Sequence, residues 1–360
     1  MGGFECGGSQ GCYEFDPLAD PRWRPFVESH SRASVFHTTA WLEALRRTYG
    51  YKPRALSTCP PGVELRNALV FCRIDSWLTG RRLVSLPFSD HCDPLADSTA
   101  DLAALIGSLE AELGREDLRY IESRPIQVLD TTGLGPCSAY SYCFHQIDLT
   151  PDLATLFRGC HKNCAQRKIR RAEREGLAYE EGRSERLLDS FYRLVRLTRH
   201  RQTLLSQPKR WFQSLVDCFG DALKIRIALK DGRPVAGMLT LRHKDTLVYK
   251  YGCSDAQFHR FGGMHLLFWK AIQDGKRDGL KVFDLGRSDC ANTGLIRFKD
   301  RWGAKRSLIT YVRFLASAEA KGAFIGEGVV WKDRTARMIF RHLPDCVLKS
   351  AGDLIYGHLG

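Results

Sequence analysis

The sequence predicts an α/β (α+β) protein of two tandem domains, each a mixed, mostly antiparallel sheet flanked by helices. Three observations carry this. At about 100 to 200 residues per domain, a chain of 360 residues is long enough for two. Strand-like runs alternate with amphipathic stretches in the same order in both halves, although no repeat is visible residue by residue. Charge also divides the chain: residues 1–150 hold 14 Lys/Arg against 19 Asp/Glu, and residues 151–360 hold 40 against 22. With 44% apolar and 26% charged residues, the composition is that of a globular chain with real cores, not a disordered or collagen-like one.

In the first half, an extended segment over Cys12–Phe15 precedes a helix over 20–29, with Asp20 as cap and Pro21 at the first position. A second helix spans 39–48. Runs rich in Leu and Val at 52–57, 65–74 and 82–88, broken by Pro-Pro-Gly and Thr-Gly, read as strands. Leu102, Leu105, Ile106, Leu109 and Leu113 recur at helical spacing. Strands at 117–122 and 142–149 close this half. In the second half, helices are expected at 162–175, 185–203 and 208–219. A three-strand meander follows at 223–230, 234–242 and 246–253, where Asp231-Gly232 and Lys244-Asp245 separate apolar runs at hairpin distance. A helix at 263–277, a strand at 281–285, a short helix at 294–302 and a strand at 308–314 complete it. The expected domains are thus 1–150 and 151–320, with a helical tail over 321–360 broken at Pro344.

Composition also excludes some classes. Thirteen cysteines, an odd count spread from Cys6 to Cys346, form no paired framework and favour a reducing compartment. Cys160 and Cys164 lack the spacing of a zinc knuckle, so no metal is expected. The longest uncharged stretch, Thr131–Ile147, carries Gly, Pro, Ser and His and cannot span a bilayer. The first residues lack the basic start and apolar core of a signal peptide. A cytoplasmic protein is expected, with peripheral contact at the inner membrane face left open. Gly7-Gly-Ser-Gln-Gly11 mimics a hydrolase nucleophile elbow but lacks the strand before it and the helix after it.

Four segments could carry chemistry. In the helix following His161, Arg167, Arg170, Arg171 and Arg174 share one face while Ile169 and Ala172 look inward. With Lys162 and Lys168 nearby, the like charges repel, and a phosphate would relieve that. The segment from Tyr251 to His265 joins a strand to a helix through Arg260-x-x-Gly263, a geometry that aims backbone N–H groups at an anion. In Asp284-Leu-Gly-Arg-Ser288 and Asn292-Thr-Gly-Leu-Ile-Arg-Phe-Lys-Asp-Arg-Trp-Gly303, Arg287 follows a strand and Asn292 precedes a helix. There Phe298 and Trp302 face the core, and Lys299, offset by about 100°, points to solvent or into a cleft. Finally, Leu86-Pro-Phe-Ser-Asp90 ends a strand, placing Asp90 as ordinary turn chemistry or as a proton acceptor.

This element order, present twice, resembles the FemAB-like proteins, which are double-GNAT acyl and aminoacyl transferases. The resemblance covers nearly the whole chain. It rests on Phe36-His-Thr-Thr-Ala-Trp41, Leu86–Asp90, Arg167–Gly176, the loop after Tyr251, and Asp284–Gly303. Together with Leu343-Pro344 and Gly352, these look closest to the branch associated with exopolysaccharide or cell-envelope synthesis. The Arg260 loop resembles the pyrophosphate loop of N-acetyltransferases, with His265 where that loop has Gly or Ala.

The resemblance implies that an amine or hydroxyl of a cell-wall or polysaccharide precursor attacks an activated acyl group. No cofactor would be tightly bound, and acyl-CoA or aminoacyl-tRNA would serve as co-substrate. An anionic, phosphate-bearing precursor and tRNA are the partners implied. Asp90 matches the family's base and Lys299 the lysine that assists the acceptor or the developing oxyanion. Arg167 or a neighbour such as Lys162 or Arg171 matches the phosphate-binding residue, and Trp41 the tryptophan of the precursor groove. Tyr251, Arg260, Arg287 and Asn292 complete the expected binding set. The family's groove lysine has no close counterpart among Arg46, Arg47 and Lys52. Two rival functions share these features: an acyl-CoA-dependent transferase acting on an amino sugar, and a non-catalytic basic scaffold for RNA or anionic lipid. On the catalytic reading, Lys299→Ala should cut turnover about a hundredfold or more without unfolding the protein.

Overall fold

The computed structural model describes residues 11–77, 79–115, 118–129, 135–315 and 355–358. The expected elements of the tail before residue 355, the Pro344 break and most of the glycine-rich start lie outside the described residues. In chain order the elements are β1 (Tyr13–Phe15), α1 (Trp23–Ser29), α2 (Thr39–Tyr49), β2 (Pro53–Ser57), β3 (Leu69–Ser76), β4 (Gly80–Val84), α3 (Thr99–Arg115), β5 (Tyr120–Ser123) and β6 (Cys137–Asp148). They continue with α4 (Leu153–Gly159), α5 (Arg167–Arg174), β7 (Ala178–Gly182), α6 (Glu185–Arg201), α7 (Lys209–Phe219), β8 (Leu223–Lys230), β9 (Arg233–His243) and β10 (Thr246–Ser254). The last are α8 (Gly263–Arg277), β11 (Val282–Asp289), α9 (Thr293–Asp300) and β12 (Lys305–Leu315).

Two compact units result: residues 11–141, 309–315 and 355–358 in the first, and 142–308 in the second. In the first, β1, β2, β3 and β4 are successively antiparallel, β4 pairs β5 in parallel, and β5 pairs β12 antiparallel. In the second, β7, β8, β9 and β10 are successively antiparallel, β10 pairs β11 in parallel, and β11 pairs β6 antiparallel. The repeat in element order is therefore a repeat in sheet order. It also exchanges two strands relative to the sequence reading, which gave 142–149 to the first half and 308–314 to the second. Arg313 of β12 finds its counter-ion in Glu122 of β5, with Nη2 2.5 Å from the carboxylate, and Tyr142 to Asp148 of β6 take their ladder from β11.

Local chemistry explains most boundaries. Thr38 and Ser184 cap α2 and α6, accepting from Trp41 N and Leu187 N. Asp231 and Gly232 both have positive φ, +51° and +74°, the pairing a tight two-residue hairpin demands. The first helix starts later than expected. Asp20 accepts from Arg22 N at 2.9 Å and pairs with its guanidinium at 2.7 Å, so α1 opens only at Trp23 with no side-chain cap.

The core of the second unit centres on Phe268, stacked on Trp302 at 5.0 Å and touching Tyr249 and Phe283. In the first, Leu105, Ile106 and Leu109 of α3 close over Phe71 and Leu83 of the sheet. Each fully buried side chain of this size contributes about 1.5–3 kcal/mol. These cores fix the strand ends on which the candidate site stands.

Candidate active site

The second unit gathers the basic helix and the Arg260 loop around one cavity. Asp255 accepts from Gln257 N at 3.1 Å and pairs with Arg233 at 2.9 Å, opening a tight turn over Ala256–Phe261. Gly262 then takes φ +81°, and a Cβ on it would sit 2.6 Å from the Lys168 carbonyl oxygen. Only glycine allows α5 to lie so close to the start of α8. Ile169 and Ala172 anchor α5 inward at 1% and 0% exposure. Arg167, Lys168, Arg171 and Arg174 turn outward. With Glu175, His259 and Arg260, they line a cavity of about 770 Å³.

Five permanent cations thus face one carboxylate, which pairs with Arg171 at 3.4 Å. Burial, with Arg201 and Lys168 nearby, holds the His259 imidazole below its ordinary range, and its Nε2 lies 2.8 Å from Ser254 Oγ. Lys162 is exposed on a π-helical turn before α5 and is not among the lining residues. His265 fills core: its ring lies 5.8 Å from Trp302 and 5.5 Å from Phe298. Burial, then Lys168 and Arg301, push its pKa down to about 3.

A second feature is a forced parting of two strands. The parallel pairing of β10 with β11 covers Thr246–Val248 and Val282–Asp284, although β10 runs on to Ser254 and β11 to Asp289. Both strands are bulged where the pairing ends, β10 between Tyr249 and Tyr251 and β11 between Asp284 and Arg287. At the β11 bulge Gly286 has φ +69° and donates its N–H to Asp284 Oδ1 at 2.6 Å. Lys299 reaches back from α9, and its Nζ donates to the carbonyls of Gly286 at 2.9 Å and Arg287 at 3.0 Å. At 2% exposure it is neither the surface lysine nor the cleft-pointing one that its helical offset allowed. It is a buried cation clamped to the bulge.

His145 lies opposite this bulge, fully buried, with Nε2 3.1 Å from Asp300. Burial, and then the Lys299 charge, lower its pKa against the pull of Asp300. Arg287 stacks 4.3 Å over the Tyr142 ring. Tyr251 accepts from Trp211 Nε1 at 2.8 Å, and Asn292 caps α9 by accepting from Leu295 N at 3.1 Å.

In the first unit, Asp90 is half-buried on a loop of unusual backbone, with φ +55° at Leu86 and +61° at Phe88. Non-glycine residues hold such angles only under constraint. The constraint is visible: Arg124 donates to the Leu86 and Ser89 carbonyls, each at 3.2 Å, and Tyr311 Oη donates to the Asp90 carbonyl at 2.7 Å. Arg124 in turn pairs with Glu122 at 2.7 Å, which Arg313 holds from the other side. Burial pushes the Glu122 carboxyl up, but Arg124 and Arg313 outweigh it and hold it at about 2. Trp41 corrects the reading of it as a groove residue. It is fully buried, edge-on to Phe36 at 4.9 Å, because the Thr38 cap turns the inner face of α2 into the core.

Arg167, Arg171 and Arg260 of the expected set therefore share one cavity, while Arg287 and Lys299 meet at the β11 bulge. Spacing puts Arg174 on the cationic face with Lys168 beside it; it misses Glu175 and His259, the latter next to Arg260. His145, Glu122, Arg124 and Arg313 had no local signal, since each acts through a partner distant in sequence.

Residues 161–300 match the family described as an acetyltransferase (GNAT) domain. No curated protein matches the sequence. Among solved structures, the chain is similar to FemX, with a TM-score of 0.64 at 15% identity over 80% of this chain and 94% of that one. It is similar to L-PGS from Bacillus licheniformis, with a TM-score of 0.55 at 14% identity over 91% and 98% of the two chains. A tandem GNAT protein from the clavulanic acid biosynthesis pathway gives a TM-score of 0.53 at 10% identity over 85% and 98%. At these identities the likeness is one of fold. Residues 161–300 are thus a GNAT-type acetyltransferase domain by sequence, and the chain as a whole has a tandem-GNAT fold. That fold is similar to the fold of FemX, and the matched domain lies in the second unit.

Proposed function

We propose that this protein transfers an acyl or aminoacyl group from a phosphate-bearing donor onto an amine, or a hydroxyl, of a cell-wall or exopolysaccharide precursor in the cytoplasm. The observation that carries the reading is the cavity of about 770 Å³ lined by five cations and one carboxylate, at the start of α8. Such an excess of charge is costly unless an anion fills it, and a helix N-terminus adds a favourable dipole. The name of one similar structure, the C-terminal domain of a putative lysylphosphatidylglycerol synthetase from Agrobacterium fabrum (TM-score 0.50 at 17% identity), favours an aminoacyl group. The family resemblance alone assigns Asp90 the proton of the attacking amine. The amine attacks the acyl carbon, and collapse of the tetrahedral intermediate expels the donor's ribose oxygen or thiolate. Lys299, clamped in its buried seat at the β11 bulge, acts on the developing oxyanion as a fixed positive charge at a distance and not as a hydrogen-bond donor to it.

The test is thermal shift and direct binding with aminoacyl-tRNA in one arm and acyl-CoAs in the other. Stabilisation by either donor, reduced about tenfold in affinity by Arg171→Ala or Arg260→Ala, supports a phosphate-bearing donor. Stabilisation by acyl-CoA alone favours the second reading, transfer to an amino sugar, which the Arg260-x-x-Gly263 turn supports. RNA or anionic lipid vesicles binding without any acyl transfer would leave a scaffold instead, and the proposal would fall. Among the described residues no helix is long and apolar enough to cross a membrane.

A further inference from the structure

Two thiols separated by 147 positions meet where β11 turns into α9, with Cys143 Sγ 3.7 Å from Cys290 Sγ. Cys143 lies on β6 directly across from Ser288 of β11, and Cys290 follows two residues later on the same side. Cys143 is 8% exposed, whereas Cys290 is the exposed one among the described cysteines. Burial and the neighbouring Cys290 raise the Cys143 thiol, so chemistry would begin at Cys290. A disulfide needs about 2.05 Å between sulfurs, so the two sulfurs must draw closer for the bond to form.

We propose that Cys143 and Cys290 are a redox-active dithiol that hydrogen peroxide converts to a disulfide. The Cys290 thiolate attacks one peroxide oxygen, the O–O bond breaks, sulfenic acid forms, and the departing hydroxide takes up the proton the thiol released and leaves as water. The Cys143 sulfur then attacks the Cys290 sulfur, the S–O bond breaks, and a second water leaves with the Cys143 proton. Peroxide is reduced by two electrons and each sulfur is oxidised by one. The location gives the bond a consequence. Asp289 and Asn292 organise this turn, with Ala291 N on Asp289 Oδ1 at 2.8 Å and Asn292 N on the Asp289 carbonyl at 2.8 Å. The turn joins the Gly286 and Arg287 carbonyls to the helix whose Lys299 they hold. Oxidation would fasten that seat to β6, whichever acyl group is transferred.

The experiment treats the full chain with hydrogen peroxide, alkylates the remaining thiols and maps peptides by mass. A Cys143–Cys290 link that dithiothreitol reverses is expected, with slower amide hydrogen exchange over residues 290–294 in the oxidised chain. Cys143→Ala, checked for folding by circular dichroism, should instead accumulate dimedone-reactive sulfenic acid at Cys290. Cys290→Ser should leave Cys143 fully alkylatable. Cys290 passing to sulfinic acid while Cys143 stays reduced would overturn the proposal, as would links formed through Cys6 or Cys346 in its place.

Discussion

Lys299→Met gives the sharpest test of the site, because methionine keeps the length of the side chain while removing every donor. The ammonium is 2% exposed and makes two charge-assisted hydrogen bonds, 2.9 Å and 3.0 Å, to the carbonyls of a bulged strand. Stripping a buried acceptor of its partner costs about 1–3 kcal/mol. Relief of the desolvated charge offsets part of the cost of two such losses, leaving a net loss of about 2 kcal/mol. For a unit of this size that lowers Tm by about 4–8 °C. Turnover should fall about a hundredfold, the effect of removing one electrostatic stabiliser. Thermal melts and single-turnover acyl transfer, the latter well below both melting temperatures, separate the two effects. The sequence suggested loss of turnover without loss of stability; burial adds the second loss. A variant melting like the wild type would refute the clamp, and one turning over like the wild type would refute the catalytic charge.

Two further outcomes follow from the same reasoning. Glu122 has its carboxyl lowered from 4.5 to about 2, so it contributes stability above pH 4.5 that is lost as pH falls towards 2, about 3 kcal/mol in all. Glu122→Gln should destabilise the chain at neutral pH and flatten this acid branch in urea titrations; an unchanged slope would show that the arginines do not set the carboxyl. Gly262→Ala places a methyl 2.6 Å from the Lys168 carbonyl at φ +81°, whereas Gly176→Ala, at φ +65°, meets nothing within 4 Å. The second should cost about 1–2 kcal/mol. The first should cost more and also weaken anion binding, with equal Tm values for the two arguing against the close seating of α5.

The meander of β8, β9 and β10, the span of α8 and the inward face of α5 were legible because each is a local pattern: a hairpin turn, a helix after glycine, an amphipathic stripe. The edge strand β7 escaped because Ala178–Gly182, with two adjacent glutamates, carries no apolar alternation to mark it. The β10 and β11 bulges escaped for a different reason. A bulge is a mismatch of register between two strands, and neither strand announces it alone. Lys299 shows the combined effect: its helical offset was readable, but only the bulged carbonyls decide that it points inward. The exchange of β6 and β12 between units was likewise hidden, since both read as plain strands and their partners are chosen by contacts such as Arg313 with Glu122.

The close seating of α5 on Gly262 separates two things that evolution usually has to change together. The backbone position of the cationic face is set by a glycine and by two buried residues, Ile169 and Ala172. The charges themselves stand on exposed or half-exposed positions whose side chains the core does not use. Substitutions among Arg167, Lys168, Arg171 and Arg174 can therefore retune which anion is preferred without disturbing where it is held. A scaffold built this way can exchange one phosphate-bearing donor for another through surface mutations alone.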